Sequence, residues 1–203
     1  MRKIRLGVLG SGSGSNFQAL LDASQSGILD AQIVLVLSDV VGAGILDRAR
    51  NANIPTELID CRGCASKFPV EAQQETVEIL KKAGVDLVCL AGFMRMIKSP
   101  LLDAFAGRII NIHPSLLPAF PGLEAWKQAL DAGAGETGCT VHHVDAGMDS
   151  GEIILQASVP VLADDTISSL HERIQHQEHQ IYPQAVNKIA ATITRNESPR
   201  TKS

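Results

Sequence analysis

The sequence predicts an α/β fold with a doubly wound, mostly parallel sheet. Short apolar runs rich in β-branched residues alternate with helical patterns along the first half of the chain. Such runs are typical of strands buried on both faces of a parallel sheet. The second half contains two segments of alternating polarity, which predict an antiparallel pair joined to that sheet, and then a long helical pattern that predicts a C-terminal helix.

The predicted elements follow one another in βαβ order. The predicted strands are residues 4–9, 33–37, 85–90, 108–112, 138–144 and 152–159. The predicted helices are residues 16–24, 43–52, 70–83, 100–105 and 167–193. Pro183 lies inside the last helix, and we expect it to kink or interrupt that helix because proline has no N–H to donate.

The composition limits the class of protein. A hydrophobic fraction of 45% with only 3% aromatics predicts an aliphatic core, and the length of 203 residues fits one domain, 1–203, with a flexible tail from about 195. The net charge of −4 gives no reason to expect a nucleic-acid partner. We find no apolar window long enough for a membrane helix and no secretion signal, so we expect a cytoplasmic location, no membrane partner and four free cysteines.

A glycine- and serine-rich loop, residues 10–16, follows the first predicted strand. Small residues ahead of a new helix are typical of phosphate sites. A dinucleotide loop would need glycine where the sequence has Ser15, and a P-loop would need a lysine that is absent here. A phosphomonoester ligand is favoured. A plain surface turn and a dinucleotide site that uses Asp39 remain open.

Asn111 lies near the end of the predicted strand 108–112, and His113 follows it directly. They are two residues apart, so their side chains point the same way on an extended chain. An asparagine amide can donate to a developing oxyanion, and a histidine can act as acid or base. Asp149 lies between glycines, where an aspartate often only shapes a turn. Placed beside His113, its carboxylate would favour the imidazolium form.

Two further groups of residues were weighed as binding sites. Cys61 and Cys64 form a C-x-x-C pair without the further ligands that zinc requires, and the histidines of the last helix do not form H-E-x-x-H, so we expect no metal. Gln175 and Glu178 lie three residues apart and share a helix face. That spacing suits two hydrogen bonds to a diol.

Several motifs resemble those of the folate-dependent formyltransferases, and in particular the phosphoribosylglycinamide formyltransferase family. They are GSGSN (12–16), LAGFMR (90–95), NIHPSLLP (111–118), FPG (120–122), TGCTVH (137–142), DSG (149–151) and QEHQIYP (177–183). They occur in family order and cover nearly all of residues 4–185. The resemblance implies a Rossmann-like formyltransferase fold.

The resemblance also implies roles for individual residues. The implied catalytic residues are Asn111, His113 and Asp149. The implied substrate-binding residues are Gly14, Ser15 and Asn16 for the phosphate and Gln175 and Glu178 for the ribose. The implied folate-binding residues are Lys67, Met94, Arg95, Met96, Ile97, Asn111, His143, Val144 and Asp145.

The implied reaction moves the formyl group of 10-formyltetrahydrofolate, the co-substrate, to the amine of glycinamide ribonucleotide in de novo purine biosynthesis. The implied enzyme needs no metal and acts as a monomer or homodimer. A formyltetrahydrofolate hydrolase, a methionyl-tRNA formyltransferase, a non-catalytic binding module and an NAD-dependent oxidoreductase are the alternatives. The first two usually carry an extra module, for which this chain leaves no room.

Two departures from the family pattern affect the predicted pocket. Many relatives carry histidines after the FPG motif, where this chain has Glu124 and Trp126. A family arginine that touches the folate tail has no clear counterpart, and Lys67 is the nearest candidate.

Overall fold

The computed structural model describes residues 2–64 and 67–197. Seven strands form one sheet in the order β3-β2-β1-β4-β5-β6-β7. The strands are β1 (Ile4–Leu9), β2 (Ala31–Ser38), β3 (Thr56–Leu58), β4 (Leu87–Leu90), β5 (Ile109–His113), β6 (Glu136–His143) and β7 (Ile153–Pro160). Strands β1 to β5 run parallel to one another. Strand β6 runs antiparallel to β5, and β7 runs antiparallel to β6. The predicted sheet class and its antiparallel pair are confirmed.

Helices connect the strands and cover both faces of the parallel part. They are α1 (Ser15–Gln25), α2 (Gly44–Asn51), α3 (Val70–Lys82), α4 (Leu101–Ala104), α5 (Ala125–Asp131) and α6 (Ile167–Glu197). The long C-terminal helix is confirmed, and it continues through Pro183 without interruption. The predicted tail begins inside this helix, and its residues 198–203 lie outside the described part.

Two aliphatic cores lie on opposite faces of the sheet. Helices α1, α2 and α6 pack over one face, where they bury Phe17, Ile45 and Ile174. Helices α3 and α4 pack over the other face, where they bury Leu80 and Leu101. Successive β5 residues alternate between these faces because strand side chains alternate.

The strand order reverses between β1 and β4, which creates a crevice at their carboxyl ends. Ligands of open α/β sheets bind at such a switch point. The segments that follow β1 and β4 pass close to each other there: a Cβ added to Gly10 would lie 2.7 Å from the carbonyl oxygen of Ala91. The predicted glycine loop leaves β1 at this crevice.

Candidate active site

The polar side chains of the predicted catalytic strand lie on one face of the β5–β6 pair. Asn111 and His113 alternate with Ile110 and Ile112, which belong to the core beneath α6. The register pairs Asn111 with His142 of β6. Directly paired residues point to the same face of a sheet, so His142 joins the two predicted side chains.

Asp149 reaches this face from the loop between β6 and β7. Its Oδ2 lies 3.4 Å from Nδ1 of His113, and its Oδ1 lies 3.7 Å from Nε2 of His142. The backbone N–H of Gly122 donates to Oδ2 at 2.9 Å and helps to hold the carboxylate in place. Asp149 therefore lies beside His113, as the sequence predicts, and also beside a second histidine.

His142 is buried and holds one defined tautomer. Its Nδ1 lies 2.8 Å from the carbonyl oxygen of His143, which can only accept, so Nδ1 carries the proton. Burial lowers the pKa of His142 and favours the neutral ring. Its Nε2 then accepts from the amide N–H of Asn111 at 3.2 Å. This bond orients the Asn111 amide and leaves its second N–H for a ligand.

His113 faces an acceptor at each ring nitrogen. Its Nε2 lies 3.0 Å from the carbonyl oxygen of Phe120, and its Nδ1 faces the Asp149 carboxylate. Both ring nitrogens can donate at once only in the imidazolium form. The Ser115 hydroxyl donates to the same Phe120 carbonyl at 3.2 Å and fixes the loop that follows β5.

The predicted phosphate residues form the N-terminus of α1. Gly14 has φ 79°, a left-handed conformation that favours glycine. None of the described side chains caps α1, and its first turn contains no acidic residue. The N–H groups of Ser15 and Asn16 therefore lie at an open, positively polarised helix end, which suits an anion.

A cation lies beside this helix end. Nε of Arg48 donates to the carbonyl oxygen of Ser13 at 2.8 Å. Arg48, Ser15 and His179 line a groove of about 830 Å³ between α1 and α6. The phosphate loop therefore opens onto space large enough for part of a substrate.

Glu178 of α6 is buried against the phosphate loop. The Asn16 amide donates to its carboxylate at 2.9 Å, and burial raises the pKa of Glu178 to about 7. The other amide atom of Asn16, Oδ1, is buried without a partner among the described residues. Gln175 lies one turn earlier on α6 and is half-buried. The predicted ribose residues therefore adjoin the predicted phosphate residues.

The predicted folate segment after β4 turns its side chains alternately outward and inward. Met94 and Met96 are 61% and 39% exposed. Ile97 is buried in the core beneath α3, and the Arg95 side chain is buried in an ion pair with Asp39 at 2.5 Å. Only the two methionines can present side chains to a ligand, whereas Arg95 and Ile97 offer their backbone.

Asp39, the residue that kept a dinucleotide reading open, is fully engaged within the protein. Its Oδ2 accepts from Arg95, and its Oδ1 accepts from the Ser11 hydroxyl at 2.6 Å. A carboxylate held in this way is not presented to a nucleotide ribose, which removes the residue on which the oxidoreductase alternative rested.

The other predicted folate residues lie in two segments. Lys67 has an exposed side chain. Val144 packs partly against a core, and the exposed Asp145 shapes its own loop by accepting from the Gly147 N–H at 2.9 Å. His143 points to the α6 face and lines a separate cavity of about 520 Å³. Only its backbone can serve the predicted site.

His142 was not assigned a role in the sequence analysis, which named its neighbour His143 instead. The alternation of segment 138–144 could have distinguished them, because the strand buries Cys139 and Val141 on the α6 face. His142 must then point to the opposite face, beside Asn111. What the sequence lacked was the register of β6 against β5.

Trp126, which departs from the family pattern, points away from the catalytic side chains. Its ring stacks on His171 of α6 with centroids 3.9 Å apart. Glu124 ends the preceding loop in a left-handed conformation, φ 53°, just before α5. These two substitutions therefore join α5 to α6 and shape a turn.

The cysteines and the possible metal ligands among the described residues do not add a further site. All four cysteines are free, and burial raises the pKa of the Cys61 thiol. Within residues 2–64 and 67–197, no cluster of three or more His, Cys, Asp or Glu side chains could hold a metal ion. In the same part of the chain, no helix combines the length and apolar character needed to cross a membrane.

The sequence profile described as formyl transferase matches residues 4–186. The chain belongs to the formyl transferase family. The Asn111, His113 and Asp149 cluster lies within the matched residues.

Its relatives include phosphoribosylglycinamide formyltransferases. The enzyme of that name from Bacillus subtilis is 39% identical over 95% of this chain and 98% of its own length. The crystal structure of glycinamide ribonucleotide transformylase 1 from Symbiobacterium toebii is 50% identical and superposes with a TM-score of 0.89, covering 93% of this chain and 88% of that one.

A third relative is much longer. The trifunctional purine biosynthetic protein adenosine-3 of Drosophila melanogaster is 49% identical over 91% of this chain, which spans only 14% of that protein.

Proposed function

We propose that this protein transfers the formyl group of 10-formyltetrahydrofolate to the amine of 5′-phosphoribosylglycinamide, as a step of de novo purine biosynthesis. The observation that carries the proposal is the placement of Asn111, His113 and Asp149 on one face of β5–β6. The open N-terminus of α1 supports a phosphorylated substrate. The names of the full-length relatives point to the same reaction.

The ribonucleotide binds along the loop after β1 and the neighbouring face of α6. Gly14, Ser15 and Asn16 hold its phosphate through backbone N–H groups. Gln175 and Glu178 accept hydrogen bonds from the ribose hydroxyls. The Oδ1 of Asn16, which is buried without a partner among the described residues, adjoins the same site.

The folate binds on the opposite side of the reacting centre. Exposed Met94 and Met96 provide apolar contact, which suits a planar ring system, and the backbone around them provides hydrogen bonds. The proposed folate residues are Lys67, Met94, Arg95, Met96, Ile97, Asn111, His143, Val144 and Asp145. The folate is a co-substrate that leaves after each turnover, and the reaction uses no metal.

The reaction begins when the neutral amine attacks the formyl carbon. A C–N bond forms, and the carbonyl electrons move to oxygen to give a tetrahedral oxyanion. The free N–H of Asn111 donates to that oxyanion, and the positive charge of the His113 imidazolium stabilises it electrostatically. A proton then passes from the attacking nitrogen to N10 of the folate, with Asp149 as relay, and the C–N10 bond breaks.

The assay that tests the proposal measures tetrahydrofolate release from 10-formyltetrahydrofolate with and without the ribonucleotide. We expect release only when both are present. Release without ribonucleotide would identify a formyltetrahydrofolate hydrolase. Folate binding without any release would identify a non-catalytic module.

His113→Ala should lower kcat by about 10²–10³-fold, because the preorganised positive charge beside the oxyanion is lost. The matched control is His176→Ala, which removes an exposed histidine of α6 and should leave kcat unchanged. Thermal unfolding of both variants shows whether the fold is intact. Near-normal turnover of a folded His113→Ala protein would overturn the assignment.

We further propose that the protein works in the cytoplasm as one domain, residues 1–203, and as a monomer or homodimer. Every residue of the proposed site belongs to a single chain, so a partner subunit need not complete it.

A further inference from the structure

Three polar side chains form a buried bracket at the carboxyl ends of β1, β2 and β4. Ser11 follows β1, Asp39 follows β2 and Arg95 follows β4. The Ser11 hydroxyl donates to Asp39 Oδ1 at 2.6 Å, and Arg95 Nε donates to Asp39 Oδ2 at 2.5 Å. The side chains of Arg95 and Asp39 are only 9% and 4% exposed.

Ser11 joins the phosphate loop directly to the proposed folate segment. Its hydroxyl oxygen accepts from the backbone N–H of Met94 at 3.0 Å. Its own backbone N–H donates to the carbonyl oxygen of Gly92, also at 3.0 Å. The loop that would hold the phosphate and the segment that would hold the folate therefore share one residue, which touches both.

Arg95 extends the bracket to a third segment. Its Nη1 donates to the carbonyl oxygens of Cys64 at 2.7 Å and Lys67 at 2.6 Å. Lys67 is the residue proposed for the folate tail. One guanidinium therefore fixes the segment that carries Lys67 relative to the segment that carries Met94.

We propose that Ser11, Asp39 and Arg95 are positioning residues that hold the ribonucleotide site and the folate site in register with each other. They do not touch the reacting atoms. This inference rests on the proposed function, because it assigns two ligands to the two segments that the bracket joins. A segment that is not held in its binding conformation binds its ligand more weakly, because ordering the segment then costs part of the binding free energy.

The chemistry of the bracket makes it sensitive to single changes. A buried hydrogen-bonding group that loses its partner retains the full penalty of its desolvation. Ser11→Ala leaves Asp39 Oδ1 and the Met94 N–H without partners. Asp39→Asn removes the charge that compensates the buried Arg95 guanidinium. Each change therefore loosens both segments, although each alters a residue that contacts neither ligand.

The test compares Ser11→Ala and Asp39→Asn with the wild type in the formyl-transfer assay. We expect each variant to raise the KM of both substrates by roughly tenfold, with kcat changed far less. The matched control is Asp47→Asn, which breaks an exposed pair with Arg50 on α2 and should leave both KM values unchanged. A rise in only one KM, or in neither, would overturn the inference.

The double variant Ser11→Ala/Asp39→Asn separates positioning from general damage. Residues that act through one network are not additive, so the double variant should raise each KM no more than the stronger single variant does. Additive effects would show two independent lesions and would contradict the bracket. Thermal unfolding is recorded for every variant, and Ser11→Ala remains a sufficient test if Asp39→Asn does not fold.

Calorimetric binding of the ribonucleotide and of tetrahydrofolate distinguishes this inference from the proposed function. A wild type that binds both but transfers nothing refutes the proposed reaction, while the dissociation constants of the variants still test the bracket. A wild type that binds neither refutes both.

Discussion

Asp149 lies between two histidines that the fold surrounds with different hydrogen-bond partners. His142 donates from Nδ1 to a carbonyl and accepts from Asn111, so it is neutral. His113 faces a carbonyl and the carboxylate, which matches the imidazolium. Titratable groups whose surroundings differ in this way suit different roles in a reaction. In the proposed reaction, His142 orients the Asn111 amide, and the charge of the His113 imidazolium stabilises the oxyanion.

Glu178 is the most perturbed carboxyl group of the proposed site. Its burial favours the protonated form, and the Asn16 amide opposes this only in part. A proton held by the folded protein but not by the unfolded chain links folding to pH. Glu178 therefore stabilises the fold most at low pH.

Glu178→Gln should remove that pH dependence. The pKa rises from the ordinary 4.5 to about 7 on folding, so the wild-type unfolding free energy falls across this window and then levels off. The expected loss is on the order of 3 kcal/mol. Urea unfolding at about pH 5 and about pH 8 should show the variant gaining this amount relative to the wild type. Parallel curves for the two proteins would contradict the burial argument.

Individual residues differed in how well the sequence could place them. Asn111 and His113 were predictable because their spacing and the strand pattern are both local. The inward turn of Arg95 was not, because its partner Asp39 lies 56 residues away and meets it only after the sheet has formed. His142 likewise depended on strand register.

At the scale of elements, one face of β6 packs into the core, and the other face carries polar side chains next to the proposed site. Residues Cys139 and Val141 bury on one face, while Thr140 and His142 occupy the other. Thr140 accepts from the backbone N–H of Leu117 at 3.1 Å and so supports the loop after His113. A shift of one residue would exchange the two faces.

Gly138→Ala should weaken the β6–β7 pairing that holds this register. An added Cβ would lie 2.0 Å from the carbonyl oxygen of Ala157 and 2.9 Å from Cδ2 of Leu116. We expect the unfolding free energy to fall by about 1–3 kcal/mol in urea titrations. Gly135→Ala is the control, because nothing lies within 4 Å of its Cβ position. Equal losses in both variants would rule out the clash as the cause.

Two short elements, β3 and α5, were absent from the sequence prediction, each for its own reason. Strand β3 has three residues and no buried side chain, so it has no apolar pattern to detect. Helix α5 has seven residues and follows a proline-rich loop whose turn signals dominate the local sequence. The longer elements carry enough periodicity to be recognised. Short elements form because their neighbours offer hydrogen-bond partners and surface.

At the scale of the whole molecule, one chain supplies every proposed contact. Strands β1, β4, β5 and β6 and helices α1 and α6 converge on the switch-point edge of the sheet. We propose that this site works without a residue from a second subunit, so that its activity does not depend on assembly.

The specific activity should therefore stay constant when the protein is diluted from micromolar to nanomolar concentration. The measurement combines the formyl-transfer assay with light scattering at the same concentrations. Activity that falls as a dimer dissociates would show that a partner subunit supports the site.

The phosphate loop packs closely against one residue of the neighbouring helix. Ile45 of α2 lies 2.7 Å from the Cβ position of both Gly10, through Cδ1, and Gly14, through Cα. Its backbone N–H donates to Gly12 at 3.1 Å. Position 45 is therefore in direct contact with positions 10 and 14, and it limits which residues fit there. A different side chain at position 45 would not make room for a Cβ at either glycine, because the Cβ position of Gly10 also lies 2.7 Å from the carbonyl oxygen of Ala91 and that of Gly14 lies 2.7 Å from the Cα of Ile45. Both glycines should therefore persist in relatives that keep a phosphate ligand, whatever side chain stands at position 45.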